Sequence, residues 1–148
     1  MADSDSIRKI ARRRASELKL PYAGSLLPQE AHVLMSEGAK LVDVRTKAEL
    51  EWVGRVPGSL AVEWNTWPGG KPNPDFIPQL EAQVGKDTPV MFLCRSGGRS
   101  HSAAMAAVEA GYGESYNVLE GFEGDKNSES HRNTSGGWRV AGLPWIQG

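Results

Sequence analysis

The stretch VMFLCRSGGRS, residues 90–100, joins four apolar residues to the chain's only cysteine and to a basic, glycine-rich turn. A short apolar run of this kind indicates a buried strand, and the alanine-rich segment that follows, ending at Gly111, indicates a helix. A strand, a tight turn and a helix in this order are typical of a parallel α/β sheet, which binds ligands beyond the carboxyl ends of its strands. The sequence therefore predicts that Cys94 lies at the edge of a sheet where an α/β protein has its site.

The rest of the chain repeats this alternation of apolar runs and helical patterns. Further candidate strands lie at 40–44, 59–62 and 116–119. Candidate helices lie at 28–37, 46–52, 76–84 and 100–110. Strands and helices that alternate along a chain favour a parallel sheet covered by helices. Two segments break the pattern, 64–71 and 123–137, and the second is predicted to be an exposed loop.

Composition narrows the class of protein. A length of 148 residues favours one domain, and 17 basic against 18 acidic residues point to neither nucleic acid nor a membrane surface as a partner. The sequence contains no secretory segment and no apolar run long enough to span a membrane, so we expect a cytoplasmic protein. One cysteine and three histidines without ligand spacing make a metal site improbable.

The first twenty-two residues form a separate, basic segment. Arg8 and Lys9 are followed by three consecutive arginines, 12–14, and Ser4 and Asp5 are candidate helix caps. The helix has a thin apolar stripe, which favours packing onto the domain over a role as a partner-binding or membrane-binding arm. We therefore predict a helical extension over residues 1–22 and a domain over residues 23–148.

The turn after the candidate strand has the chemistry of an anion site. Gly97 and Gly98 allow several backbone N–H groups to converge, and the positive end of the following helix faces the same point. Arg95 and Arg99 add forked donors suited to sulfonate, sulfate or phosphate groups. The same positive field favours a thiolate on Cys94, provided that the loop is polar and partly solvated. An inert core thiol is the alternative interpretation of a lone cysteine.

The serines of this turn and the histidine after it each have more than one candidate role. Ser96 and Ser100 can both donate hydrogen bonds to an anion, and Ser100 can equally cap the helix. His101 follows the loop directly, but it is a weak candidate for a general base because an ionised thiol needs none.

These residues resemble the active-site loop of the rhodanese family, and the likeness extends in family order from about residue 28 to residue 144. The further matching segments are DVR at 43–45 with Glu49, GRVPGS at 54–59, LEGF at 119–122 and GWRVAGLP at 137–144. Arg55 stands where the family usually has histidine, and Phe122 where it has a second glycine. The resemblance implies a single rhodanese-like α/β domain with a mostly parallel five-stranded sheet and helices on both faces.

The resemblance also implies a sulfurtransferase. Cys94 would take a sulfane sulfur from thiosulfate or a persulfide donor, hold it as a covalent persulfide without any other cofactor, and pass it to cyanide, a thiol or a partner protein. Asp43 and Arg45 are expected to be structural. The groups expected to bind the sulfur anion are those of the loop: Arg95, Ser96, Gly97, Gly98, Arg99 and Ser100. Because the chain has no second cysteine, the acceptor must be external.

Two alternatives stay open from the sequence. The domain could be a noncatalytic sulfur carrier or a partner-binding module. Tyrosine phosphatases and arsenate reductases also use a cysteine loop that ends in arginine, but their loops place five residues between the two. Only four residues separate Cys94 from Arg99, so the cradle is expected to be too small for a phosphate ester.

Overall fold

Five parallel strands form one sheet in a computed structural model that describes residues 3–66 and 69–147. The strands are β1 (Gly24–Leu26), β2 (Lys40–Asp43), β3 (Leu60–Ala61), β4 (Val90–Leu93) and β5 (Ser115–Val118). The helices are α1 (Ser4–Leu18), α2 (Pro28–Ser36), α3 (Lys47–Trp52), α4 (Phe76–Gln83) and α5 (Gly98–Glu109). The strand order β1-β5-β4-β2-β3 places β4 at the centre of the sheet. The residue after β4 is therefore flanked by the carboxyl ends of β2 and β5.

Side chains of β4 divide between two cores because successive residues of a strand point to opposite faces. Met91 and Leu93 belong to the core that α1 and α2 cover, whereas Phe92 and Cys94 belong to the core that α4 and α5 cover. The division confirms the predicted α/β class with helices on both faces of the sheet. It also places Cys94 on the same face as α5.

The elements predicted between residues 28 and 119 form within about two residues of their expected bounds, the N-terminal helix spans Ser4–Leu18 inside the extension predicted over 1–22, and β1 was not predicted. It is three residues long and begins with a glycine, so it lacks the apolar run that marks the other strands. Gly24 is needed because α1 crosses at close range: a Cβ atom there would lie 2.5 Å from the Ala11 carbonyl oxygen.

The N-terminal helix α1 lies against β1. Ile7 and Ala11 are buried in the core under α1 and α2, and Arg8 and Arg14 form ion pairs with Glu114 and Glu30. The side chain of Asp3, rather than of Ser4 or Asp5, caps the helix by accepting a hydrogen bond from the Ser6 amide. The helix therefore packs on the domain, and a boundary after residue 22 stays a prediction.

The polar segment 123–137 contains no helix or strand and is largely exposed. It folds back on itself, since the Asn133 amide donates to the Glu123 carbonyl and the Arg132 guanidinium to the Gly124 carbonyl. Within the described ranges, none of the helices has the length and apolar character needed to cross a membrane.

Candidate functional site

Cys94 follows β4 directly, and its sulfur lies at the start of α5. The Gly97 amide donates a hydrogen bond to Sγ over 3.1 Å, and the Ser100 hydroxyl oxygen lies 3.3 Å from Sγ. Gly97 is the N-cap of α5 and has a φ of 116°, a conformation that favours glycine. The loop thus directs a backbone N–H and the positive end of a helix toward one sulfur atom.

The thiol is buried, with 1% of the Cys94 surface exposed, although the sequence argument required it to be partly solvated. Its side chain belongs to the core under α4 and α5, and the backbone of the loop is fastened to the turn after β5. The Phe122 amide donates to the Cys94 carbonyl over 2.8 Å, and the Glu123 amide donates to the Arg95 carbonyl over 3.0 Å. A donor or acceptor of sulfur must therefore displace part of this loop to reach Sγ.

Gly121 permits this close approach, because an added Cβ would lie 2.5 Å from the Cys94 oxygen and its φ is 65°. Gly121→Ala is expected to lower the free energy of unfolding by roughly 2–4 kcal/mol through backbone strain and overpacking. The shift of the urea midpoint measures the loss. Gly113→Ala is the matched control, since its Cβ would meet nothing within 4 Å, and equal midpoints for the two variants would contradict this account.

Arg99 forms a bidentate ion pair with Glu49 of α3, with N–O distances of 2.7 and 2.9 Å. Burial opposes the charge on Glu49, but the hydrogen bonds and charge of Arg99, aided by the Thr46 amide, hold the pKa of that carboxyl below its ordinary value. The hydrogen bonds to Glu49 raise the pKa of Arg99 in turn. Two of the five guanidinium N–H groups are thus already used, and anion binding by Arg99 must rely on the others.

Arg95, by contrast, is exposed, and its side chain makes no hydrogen bond or ion pair with any residue in the described ranges. It lines a pocket of about 510 Å³, a volume typical of small-molecule sites. Glu49, Arg99 and the 68% exposed Trp52 lie on other parts of the same wall. Arg95 therefore offers an unpaired positive charge beside the mouth of the loop.

Ser100 is fully buried within α5 and does not cap it. Its hydroxyl lies 2.5 Å from Oδ1 of Asn117 on β5, and Asn117 Nδ2 donates to the Gly97 carbonyl over 3.3 Å. The sequence reasoning missed Asn117. The available signal was a polar residue near the carboxyl end of a predicted strand, where α/β proteins place their sites.

His101 does not contact the sulfur. Its Nδ1 atom forms a 2.6 Å hydrogen bond with the Tyr22 hydroxyl, and burial raises the pKa of Tyr22. One ring nitrogen of His101 is thus engaged by Tyr22, and no hydrogen bond between His101 and Sγ is found in the described part of the chain.

Asp43 and Arg45 form a buried ion pair beside the site, with a shortest distance of 2.7 Å. Arg45 also donates to the Gly54 carbonyl over 2.7 Å, and its guanidinium lies 4.3 Å from the centre of the Phe122 ring. The pair therefore ties the end of β2 to two later loops. Among the described residues, no three His, Cys, Asp or Glu side chains form a group that could hold a metal ion.

The family model of the rhodanese-like domain matches residues 27–128. The chain belongs to this family. This rhodanese-like chain is 31% identical to thiosulfate sulfurtransferase 16, chloroplastic, of Arabidopsis thaliana, over 73% of this chain and 89% of that protein. It is 32% identical to the thiosulfate sulfurtransferase GlpE of Stutzerimonas stutzeri, over 65% and 78% of the two chains.

A solved structure supports the same fold for this rhodanese-like chain. The crystal structure of Rv0390 from M. tuberculosis matches with a TM-score of 0.79 and 44% sequence identity, over 86% of this chain and 99% of that one. Together with the family model, this match confirms the rhodanese-like fold expected from the sequence.

Proposed function

We propose that this rhodanese-like domain is a sulfurtransferase that holds a sulfane sulfur as a persulfide on Cys94. The observation that supports this most directly is the position of Sγ, which receives the Gly97 amide at the start of α5. The sulfurtransferases among the relatives make thiosulfate a reasonable first donor, with a persulfide as the other.

In the first step, the Cys94 thiolate attacks the outer sulfur of thiosulfate. A bond forms between the two sulfur atoms, the bond from the outer sulfur to the sulfonate sulfur breaks, and sulfite leaves with that electron pair. The loop N–H groups of residues 95–100, with the hydroxyls of Ser96 and Ser100, stabilise the anionic sulfur, as preorganised donors do in other enzymes. The exposed guanidinium of Arg95 attracts the donor, and Arg99 contributes its remaining N–H groups.

In the second step, a nucleophilic acceptor removes the outer sulfur and restores the thiolate. Cys94 is the chain's only cysteine, so cyanide, a small thiol or a partner protein must accept the sulfur. The pocket beside Arg95 and Trp52 offers a place for the rest of such an acceptor. No further cofactor takes part in this scheme, and a cytoplasmic location stays a prediction.

The alternatives differ in what they require of the site. A sulfur carrier without turnover needs the persulfide but not fast release, so kinetics separate it from an enzyme. A phosphatase or arsenate reductase needs a loop wide enough to hold an oxyanion, and such loops place five residues between the cysteine and the arginine. Only four residues separate Cys94 from Arg99, which counts against the phosphatase alternative.

Incubation with thiosulfate tests the proposal by intact mass spectrometry. The native chain is expected to gain the mass of one sulfur atom, cyanide is expected to remove it, and Cys94→Ser is expected to gain none. A native chain that stays unmodified, or an equal gain in the serine variant, contradicts the proposed persulfide on Cys94.

A further inference from the structure

Cys94, Ser100 and Asn117 form a buried chain of polar side chains in which two acceptors face a single hydroxyl hydrogen, that of Ser100. Ser100 has one hydroxyl hydrogen, and two neighbours compete for it: Asn117 Oδ1 at 2.5 Å and Cys94 Sγ at 3.3 Å. All three side chains are buried, so water does not readily supply a replacement. The direction of this one hydrogen therefore decides what Sγ receives from Ser100.

The amide orientation of Asn117 settles that direction in the resting protein. Asn117 Nδ2 lies 3.3 Å from the Gly97 carbonyl oxygen, and the reversed amide would place two acceptors against each other. Oδ1 therefore faces Ser100, and the short contact between them requires the Ser100 hydrogen. In this arrangement Ser100 can only accept from Cys94, so the thiol hydrogen points at Ser100.

We infer that Asn117 is a positioning residue that competes with the Cys94 sulfur for the Ser100 hydrogen. When the thiol ionises, its S–H bond breaks, the electron pair stays on sulfur and the proton passes to a base from solution. The Ser100 O–H bond then rotates toward the sulfide without breaking. That rotation leaves the buried Asn117 oxygen without its donor, which opposes the thiolate.

The inference rests on the proposed role of Cys94 as nucleophile. It adds that Asn117 influences how readily the Cys94 thiol ionises. The charged groups near the sulfur are Arg99, the Glu49 paired with it, and the buried pair of Asp43 and Arg45, and none of them contacts Asn117 in the described ranges.

The Tyr22 hydroxyl does interact with the Asn117 side chain, and it also bonds Nδ1 of His101. The double-mutant cycle that tests the inference is therefore repeated in a Tyr22→Phe background, where a shift that still depends on Ser100 is assigned to the competition for its hydrogen.

The test is a double-mutant cycle read by the pH dependence of iodoacetamide alkylation of the lone cysteine. Asn117→Val removes the acceptor and puts an apolar, β-branched residue of similar size in a strand, where such residues are favoured. It is expected to move the alkylation midpoint about 0.5–1 pH unit lower, because the Ser100 hydrogen becomes free to donate to the sulfide. In the Ser100→Ala background, the same change is expected to leave the midpoint where it is, since the competition runs through Ser100.

Ser115→Ala is the matched control. Ser115 is also buried on β5, two residues from Asn117, but its hydroxyl donates to the Ala104 carbonyl of α5, and we expect no shift of the midpoint. If Asn117→Val does not fold, Asn117→Ala takes its place in the cycle. The inference is overturned if Asn117→Val moves the midpoint to higher pH, if it causes no shift while Ser100 is present, or if the shift is equal with Ser100 and with Ser100→Ala.

The alkylation cycle tests the inference about Asn117, and sulfur loading tests the proposed transferase, so either one can be contradicted without the other. If thiosulfate adds no sulfur to the native chain while the cycle behaves as expected, the proposed transferase is wrong and the hydrogen-bond competition stands. If sulfur loads and the cycle shows no dependence on Ser100, Asn117 is only structural and the transferase stands.

Discussion

Cys94→Ser is expected to lower the rate of thiocyanate formation from thiosulfate and cyanide by roughly 10³-fold or more. Serine can keep the local hydrogen bonds, because its oxygen can accept from the Gly97 amide and contact Ser100 as the sulfur does. A neutral hydroxyl is nevertheless a poor nucleophile toward sulfur, and among residues 3–66 and 69–147 no general base is hydrogen-bonded to this side chain. The change therefore removes the chemistry while leaving the loop in place.

Steady-state kinetics provide a second measure of the same mechanism. The native chain is expected to give parallel double-reciprocal lines when thiosulfate and cyanide are varied, because a covalent intermediate separates the two half-reactions. Urea midpoints of native chain and variant serve as the folding control. A folded Cys94→Ser that keeps its turnover, or intersecting lines for the native chain, argues against a Cys94 persulfide. A native chain that loads sulfur but releases it too slowly for turnover is a carrier.

The buried position of Cys94 gives the loop a role in access as well as in binding. The Phe122 and Glu123 amides donate to the carbonyls of Cys94 and Arg95, and the Asn117 side chain donates to the carbonyl of Gly97. The loop N–H groups that stabilise the sulfur are therefore held in place before a sulfur donor binds. Preorganised donors of this kind cost no rearrangement at the moment of reaction. For thiosulfate to reach Sγ, the exposed part of the loop must move instead, where Arg95 lines the pocket.

The fold could be predicted wherever one strong pattern dominates the sequence. The run 90–93 is continuously apolar because β4 is central and buried on both sides, and the glycines at 97 and 98 mark the turn into α5. β1 escaped prediction because three residues carry no periodicity. Its place in the sheet depends on pairing with β5 and on the crossing of α1 over Gly24, neither of which is local in sequence.

The candidate site was predictable as a segment but not as a set of contacts. Residues 94–100 are contiguous, so the composition of the turn sufficed to mark them. The partners Glu49 and Asn117 come from α3 and β5, and they meet the loop only because β2 and β5 flank β4. The order of the strands in the sheet brings Glu49 and Asn117 to the loop, and that order cannot be read from a single sequence. Phe122, at a position where the family usually has glycine, is buried, and the guanidinium groups of Arg45 and Arg139 lie over its ring, contacts that a single sequence does not show either.

Asp43→Asn is expected to lower the free energy of unfolding by roughly 3–5 kcal/mol, since it leaves the Arg45 charge buried without its partner. Arg45 is fully buried, and three of its hydrogen bonds end on the Asp43 carboxylate. The remaining contacts of Arg45, with the Gly54 carbonyl and the Phe122 ring, do not neutralise its charge. The shift of the urea midpoint at an unchanged denaturant slope measures the loss.

Glu81→Gln is the matched control, because it makes the same loss of a carboxylate charge in an ion pair with Lys86 that is about half exposed. Water screens that pair, so the control is expected to lose at most about 1 kcal/mol. The double variant Asp43→Asn with Arg45→Met is expected to recover part of the loss, because it removes the stranded charge as well as its partner. If Asp43→Asn costs no more than the exposed control, the pair does not hold β2 to the loops around the sulfur, and its position beside the site is incidental.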